Sequence, residues 1–194
     1  MTKTVHPNMP FLALDLEMNQ PSGKIIEIGV CVGRASQHFL DYEIKQWFID
    51  PCEDISDYIT DLTGISNEMI KEQSSSLTEV ATELSGLIEK HKPFINPVTW
   101  GGGDSAALLQ LFQSNDIDFP YFGRRWIDVK TIHVFDCITE NKDQRGGLSS
   151  VMKKYKLDFV GTKHRAAADA TNTLRLFFEM MENRKQALLT GDIA

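Results

Sequence analysis

The N-terminal part of the chain holds two strongly apolar runs joined by a connection that is too short for anything but a turn. The runs read FLALDLE from Phe11 and IIEIGVCVG from Ile25, and Pro21-Ser22-Gly23 is the turn signal between them. Strands joined by a short turn run antiparallel. A third segment passes through Phe39-Leu40 and ends at Trp47-Phe48-Ile49, which extends the pair to an antiparallel meander of three strands.

Beyond Pro51 the apolar spacing becomes helical. A helix opened by Ser76 carries Val80, Leu84, Leu87 and Ile88 on one face. Further on, short strands alternate with helices, which predicts parallel strands added to the meander and a mixed five-stranded α/β sheet covered by helices. The predicted later elements are strands at 94–100 and 126–128 and helices at 105–113, 129–136, 148–155 and 166–181.

The chain has 194 residues, of which 42% are hydrophobic, so it can bury the core of a single domain. We predict one domain over 1–194, with its core at about 10–182 and a flexible tail at 183–194. The three cysteines are widely spaced and form no C-x-x-C pattern, which favours a reducing compartment over disulfides or zinc. No run is apolar enough for a signal peptide or a membrane span, so the sequence predicts a cytoplasmic protein.

The formal net charge of −7 means that the surface as a whole repels nucleic acid. Any polyanion must therefore be bound by a local basic patch. The candidates are Arg124-Arg125, Lys153-Lys154 with Lys156, and the pair Lys163 and Arg165 on either side of His164. Each patch alone is typical of a solvated face. The last one differs because it flanks a candidate catalytic histidine.

Asp15 and Glu17 end the first apolar strand. Because side chains alternate along a strand, both carboxylates point to one face while Leu16 points to the other. An acidic pair at a strand end is usually a surface feature. Here it follows the buried run that begins at Phe11, and two carboxylates placed in this way can share a cation.

Asp104 follows the glycine run 101–103 and precedes an apolar helix. A residue at this position is typical of a helix N-cap, whose side chain accepts from the free N–H groups of the first turn. The glycines also leave the carboxylate open to a phosphate or a cation. We therefore predict an N-cap that also faces a site.

The segment HRAAADA places His164 and Asp169 at the start of the last long helix. Small residues there allow the helix to pack closely on the strand that carries Asp15 and Glu17. A histidine near a helix start can also simply be solvated, and the segment alone does not decide between these interpretations.

Four carboxylates from separate segments repel one another in a cleft unless cations neutralise them. Their convergence therefore implies a metal site. Oxygen ligands without cysteine or a histidine cluster favour Mg²⁺ or Mn²⁺ over zinc. The predicted metal ligands are Asp15, Glu17, Asp104 and Asp169.

Three motifs in order, LALDLEM at 12–18, VTWGGGD at 98–104 and HRAAADA at 164–170, resemble those of the DEDDh 3′→5′ exonucleases of the ribonuclease H-like fold. The tryptophan-glycine form of the second motif is most similar to the histone-mRNA and small-RNA 3′ exonucleases. The resemblance covers about residues 10–182. It implies two ions, with Asp15, Glu17 and Asp169 on one, Asp15 also reaching the second, and Asp104 completing that second site.

The resemblance also implies that His164 is the general base, that the substrate is the 3′ end of single-stranded RNA or DNA, and that the products are nucleoside 5′-monophosphates. A homodimer is a possible assembly that the resemblance does not decide. Where many members have a polar pair after the first-motif glutamate, this chain has Met18 and Asn19, so the choice between RNA and DNA stays open. The predicted substrate contacts are Met18, Asn19, Lys163 and Arg165.

Two other functions are compatible with the same residues. One is a nucleic-acid-binding module that keeps the fold without catalysis, and it is disfavoured because all five expected functional residues are present. The other is a metal-dependent phosphatase acting on small nucleotides, which shares the same metal chemistry.

Overall fold

The computed structural model describes residues 8–118, 120, 122–123 and 125–191. Within these residues the strands are β1 (Phe11–Met18), β2 (Ile25–Gly33), β3 (Glu43–Phe48), β4 (Val98–Thr99) and β5 (Ile127–Asp128). They form one sheet in the order β3-β2-β1-β4-β5. The β1–β2 and β2–β3 pairs are antiparallel, whereas β4 is parallel to β1 and to β5. This confirms the predicted mixed sheet, an antiparallel meander followed by parallel strands.

The helices are α1 (Asp57–Thr63), α2 (Asn67–Gln73), α3 (Leu77–His91), α4 (Asp104–Gln113), α5 (Val129–Thr139), α6 (Leu148–Lys154) and α7 (Ala166–Thr190). The Ser76 hydroxyl caps α3, and the Glu79 side chain accepts from the Ser76 amide in return, which completes a capping box. In the described part of the chain no helix is long and apolar enough to cross a membrane.

Three predicted boundaries are wrong. The third strand begins only at Glu43, because Phe39–Asp41 forms a short 3₁₀ helix. The predicted strand 94–100 is reduced to Val98–Thr99. The last helix does not end at Met181, because good helix formers follow and carry it to Thr190, where Gly191 ends it in a left-handed conformation. Arg124, in one predicted basic patch, lies outside the described residues.

Alternation along β1 divides its side chains between two cores. Leu12, Leu14 and Leu16 pack with α3 and α4 on one face of the sheet. Phe11 and Ala13 pack with α6 and α7 on the other face. Asp15 and Glu17 have the parity of Ala13, so they point to the α7 face, at the end of β1 where the helix begins.

On the face of the sheet that α7 covers, the strand register aligns residues of β1, β2 and β3 in rows. Glu17 pairs with Glu27 of β2, which pairs with Phe48 of β3. In the next row Asp15 pairs with Gly29. A Cβ atom on Gly29 would lie 2.1 Å from the main-chain carbon of Ala166, so the first turn of α7 rests directly on β2.

Candidate active site

Asp15 and Glu17 are both partly buried at the end of β1. Burial raises the pKa of Asp15 well above its usual value, and the nearby carboxylates of Asp169, Asp104 and Glu17 raise it further. Burial and the charges of Asp169 and Glu27 raise the pKa of Glu17 to about 8, against an opposing effect of Arg165. The strand end is therefore a place where negative charge is costly and a cation would relieve it.

Asp169 lies in the first turn of α7, and His164 lies in the loop just before that helix. The backbone of His164 is left-handed, with φ of 57°, and its amide nitrogen is 3.2 Å from Oδ2 of Asp169, to which it donates a hydrogen bond. Burial raises the pKa of Asp169 to about 6, although the adjacent His164 lowers it. The loop and the helix thus present an imidazole and a carboxylate side by side.

Ligand atoms of Glu17, His164 and Asp169 all lie within 4.8 Å of one another. Asp15 adjoins this group, since Asp169 is the largest charge effect on its pKa. The structure therefore brings together β1 and the start of α7, as the sequence predicts. Oxygen-rich donors of this kind, buried and mutually repelling, fit a hard divalent cation.

Asp104 is the first residue of α4 and not its N-cap as predicted. Gly103 occupies the N-cap position with φ of 120°, a conformation that side-chain-bearing residues rarely adopt. The Gly101 amide donates to Oδ1 of Asp128 at 2.9 Å, which ties the glycine loop to β5. Burial and then the charge of Asp128 raise the pKa of Asp104 to about 6. The charge of Asp104 also raises the pKa values of Asp15 and Glu17.

A cavity of about 560 Å³ opens beside these groups. One side is formed by Asp15, His164 and Asp169, and the others carry two aromatic rings and two lysines. None of the ion pairs that join described residues includes either lysine. These further lining residues are Trp100, Phe159, Lys153 and Lys163.

The predicted substrate contacts separate into two kinds. Lys163 is exposed and lines the cavity, and Met18 is partly buried against the core beneath α3 and α4. Asn19 is only 3% exposed, and its side chain bonds within the protein. Its amide nitrogen donates to Glu53 at 2.7 Å, and its oxygen accepts from the Ser56 amide at 3.0 Å. Asn19 therefore joins loops rather than facing the cavity.

Arg165, the fourth predicted contact, binds Glu27 instead of facing the cavity. The Glu27 side chain is fully buried, and Nη2 of Arg165 lies 2.7 Å from its Oε1. The Ala166 amide donates to Oε2 of Glu27 at 2.7 Å. The role of Glu27 was missed by sequence reasoning. The signal that could have found it is one charged residue inside the apolar run IIEIGVCVG.

A mixed sheet that carries an acidic cleft at the end of β1, with a histidine just before α7 beside it, has the arrangement of a metal-dependent hydrolase site. The chain belongs to the exonuclease family, because the RNase T family model, described as Exonuclease, matches residues 12–177. A search of curated protein sequences gave no match.

Solved structures with the same fold include several nucleases. The nuclease domain of 3′hExo, a DEDDh family member bound to rAMP, superposes with a TM-score of 0.75 at 17% identity, over 91% of this chain and 93% of that one. A 3′-exonuclease solved in a study of histone mRNA stem-loop recognition gives 0.74 at 18% identity, over 91% and 64%. Cell-death related nuclease 4 gives 0.72 at 15% identity, also over 91% and 64%.

Proposed function

We propose that this protein is a divalent-metal-dependent 3′→5′ exonuclease. It hydrolyses the terminal phosphodiester bond of single-stranded RNA or DNA and releases nucleoside 5′-monophosphates. The observation that carries the proposal is the meeting of Glu17 from β1 with His164 and Asp169 from the start of α7, within 4.8 Å. Family membership independently supports exonuclease chemistry.

The donor set fits Mg²⁺ or Mn²⁺. Asp15, Glu17 and Asp169 would hold one ion, while Asp15 and Asp104 would serve a second. The raised pKa values of these carboxyl groups mark a site where the protein's own cations compensate their charges only in part. When bound, two such ions orient the attacking water and stabilise the charge that develops on the scissile phosphate and the leaving 3′ oxygen.

His164 supplies the general base. Its exposed ring faces the cavity beside Asp169, and the ring nitrogen of a neutral imidazole can accept a proton. One ring nitrogen accepts a proton from the attacking water as the water oxygen bonds to phosphorus. The bond from phosphorus to the 3′ oxygen then breaks, and that oxygen takes a proton from solvent. The shortened strand keeps a 3′-hydroxyl.

The rest of the cavity suits a nucleic-acid strand end. Lys153 and Lys163 offer positive charge to phosphates in a chain whose net charge is negative. Trp100 and Phe159 offer apolar surface on which a base can lie without sequence readout. The similar structures, one bound to rAMP and one from a study of 3′-end-specific recognition of a histone mRNA stem-loop, support a 3′ end as the ligand.

The test is a set of four 5′-labelled substrates, single- and double-stranded RNA and DNA, incubated with Mn²⁺ or Mg²⁺. Asp15→Asn removes one metal-site charge at nearly constant shape. Glu89→Gln is the matched control, because Glu89 is an exposed carboxylate on α3, on the opposite face of the sheet. We expect ladders shortened from the 3′ end with wild type and Glu89→Gln, and none with Asp15→Asn.

Other outcomes would identify the alternative functions. Release of inorganic phosphate from mononucleotides, with the labelled strands intact, would indicate a nucleotide phosphatase. Retained binding of strands with no product at any metal concentration would indicate a silent binding module. Laddering that persists in excess chelator would contradict the metal dependence.

A further inference from the structure

Arg165 and Glu27 form the most deeply buried ion pair among the described residues. Glu27 has no exposed side-chain surface, and the guanidinium of Arg165 reaches it through Nε at 3.0 Å as well as through Nη2 at 2.7 Å. The same guanidinium lies over the Phe48 ring, 5.3 Å from its centroid. Burying a charge costs free energy unless the charge is paired and fully hydrogen-bonded, and a buried ion pair need not add stability. The position of this pair in the fold therefore suggests a role other than stabilisation.

The pair joins the sheet to the start of α7. Glu27 belongs to β2 and sits directly beside Glu17 in the register of the sheet. Arg165 is the N-cap residue of α7, and its side chain forms no capping bond of its own. The second oxygen of Glu27 accepts from the amide of Ala166, which is one of the free N–H groups of that first helical turn. Glu27 therefore caps α7 from a neighbouring strand.

Arg165 is the immediate neighbour of His164, and Asp169 lies one turn further along the helix. An anchor at Arg165 and Ala166 thus sets the position of both groups relative to Glu17. Gly29 completes the anchor, because its missing side chain lets Ala166 rest on β2. The ion pair therefore fixes the C-terminal end of the loop that carries His164.

We propose that Glu27 and Arg165 are positioning residues that act as one unit to hold His164 and Asp169 against the Asp15 and Glu17 carboxylates. This inference rests on the proposed function, because it assigns the pair a role in metal binding and turnover. It replaces the sequence-based expectation that Arg165 binds substrate. The positioning role predicts that replacing Glu27 impairs the enzyme, whereas a substrate-binding role of Arg165 alone does not, because Glu27 does not line the cavity.

The test is a double-mutant cycle of Glu27→Gln, Arg165→Met and the combined variant. The matched control is Arg184→Met, because Arg184 also extends from α7 to an acidic partner, Asp136 of α5, at 2.6 Å. Calorimetric titration with Mn²⁺ gives metal affinity without turnover. Kinetics on a labelled oligonucleotide give kcat and KM separately. Repeating them at several salt concentrations shows whether a variant has lost a contact with a phosphate.

We expect each single variant to weaken Mn²⁺ binding by about 10- to 100-fold and to lower kcat by a similar factor. KM and its salt dependence should stay close to wild type, and the double variant should be no worse than the poorer single variant. Arg165→Lys keeps the charge but loses the fork-shaped contact, so it should recover part of the affinity. It also serves as the reporter if Arg165→Met does not fold.

Two results would overturn the inference. A higher KM with a weaker salt dependence in Arg165→Met, together with a wild-type Glu27→Gln, would make Arg165 a substrate contact. A lower melting temperature with unchanged Mn²⁺ affinity and unchanged kcat would make the pair purely structural. Absence of Mn²⁺ binding and nuclease activity in the wild-type protein would instead refute the proposed function, so the two failures are distinguishable.

Discussion

The main-chain amide of His164 donates a hydrogen bond to Oδ2 of Asp169, with 3.2 Å between the two atoms. The bond closes the loop that leads into α7, and it holds the imidazole beside a carboxylate of the proposed metal site. Because the contact uses the backbone of His164, the ring stays free to act on a substrate.

Replacing His164 with alanine should lower kcat by about 10²- to 10⁴-fold, the usual contribution of a general base. Mn²⁺ affinity should change little, since the backbone bond to Asp169 survives. In Asp169→Asn the main loss should instead be in Mn²⁺ affinity. An amide oxygen can still accept the hydrogen bond from the His164 amide, but the negative charge that binds the ion is lost. Calorimetry and single-turnover kinetics on both variants check the prediction. Loss of Mn²⁺ binding in His164→Ala would instead make the imidazole a metal ligand.

The metal-free protein should lose stability as pH rises. The ordinary pKa of a glutamate side chain is 4.5, whereas the pKa of Glu17 in the folded protein is about 8, so between these values the folded state binds more protons than the unfolded state. Deprotonation through this window therefore favours unfolding. The raised pKa values of Asp104 and Asp169 also lower the stability as pH rises, between pH 3.8 and about 6. Urea denaturation in chelator at pH 5, 6.5 and 8 measures the trend.

Glu17→Gln supplies the control for that titration, because it cannot ionise. Its stability should fall less steeply between pH 6.5 and 8 than that of the wild type. Saturating Mn²⁺ should reverse the wild-type trend, since the ion binds the deprotonated carboxylates. A wild-type stability that rises with pH in chelator, in parallel with the variant, would contradict the raised pKa values.

Gly29→Ala should destabilise the fold and displace the start of α7. The added Cβ would lie 2.1 Å from main-chain atoms of Ala166 and Ala167, which cannot move without shifting the helix. The expected loss is ~3 kcal/mol of unfolding free energy, at the upper end for overpacking. Gly86→Ala in α3 is the matched control, because its Cβ meets nothing within 4 Å. It should gain about 1 kcal/mol from helix propensity. Equal effects of the two substitutions on melting temperature would refute the close contact.

Lys153→Ala and Lys163→Ala should each raise KM for single-stranded substrate and leave Mn²⁺ affinity unchanged. Each lost phosphate contact should reduce the slope of log affinity against log salt by about 0.7. Lys185→Ala is the control, because Lys185 lies near the far end of α7 and pairs with Glu182. Filter binding of a labelled strand to an inactive Asp15→Asn background measures the slopes. An unchanged slope for both cavity lysines would remove them from the strand path.

Local pattern was enough to predict most of the architecture. The two-residue period of β1, the turn at Pro21 and the helical spacing that follows Ser76 each depend on neighbours in the chain. These signals predicted the strand order of the meander and the long helices. They failed at Phe39–Asp41, which forms a 3₁₀ helix, and at β4, which is shorter than predicted. In both places the apolar residues extend beyond the residues that form hydrogen bonds with a neighbouring strand.

The sequence by itself determined which residues are candidates for the chemistry, because acidic pairs, a glycine run and a histidine before a helix are local features. Only the tertiary structure decided how their neighbours act. Asn19 and Arg165 look like substrate contacts in the sequence, yet each bonds to groups that are distant in the chain. Partners such as Glu27 are chosen by strand register and by the close approach of α7 to Gly29. Both depend on three-dimensional packing, which no local periodicity encodes.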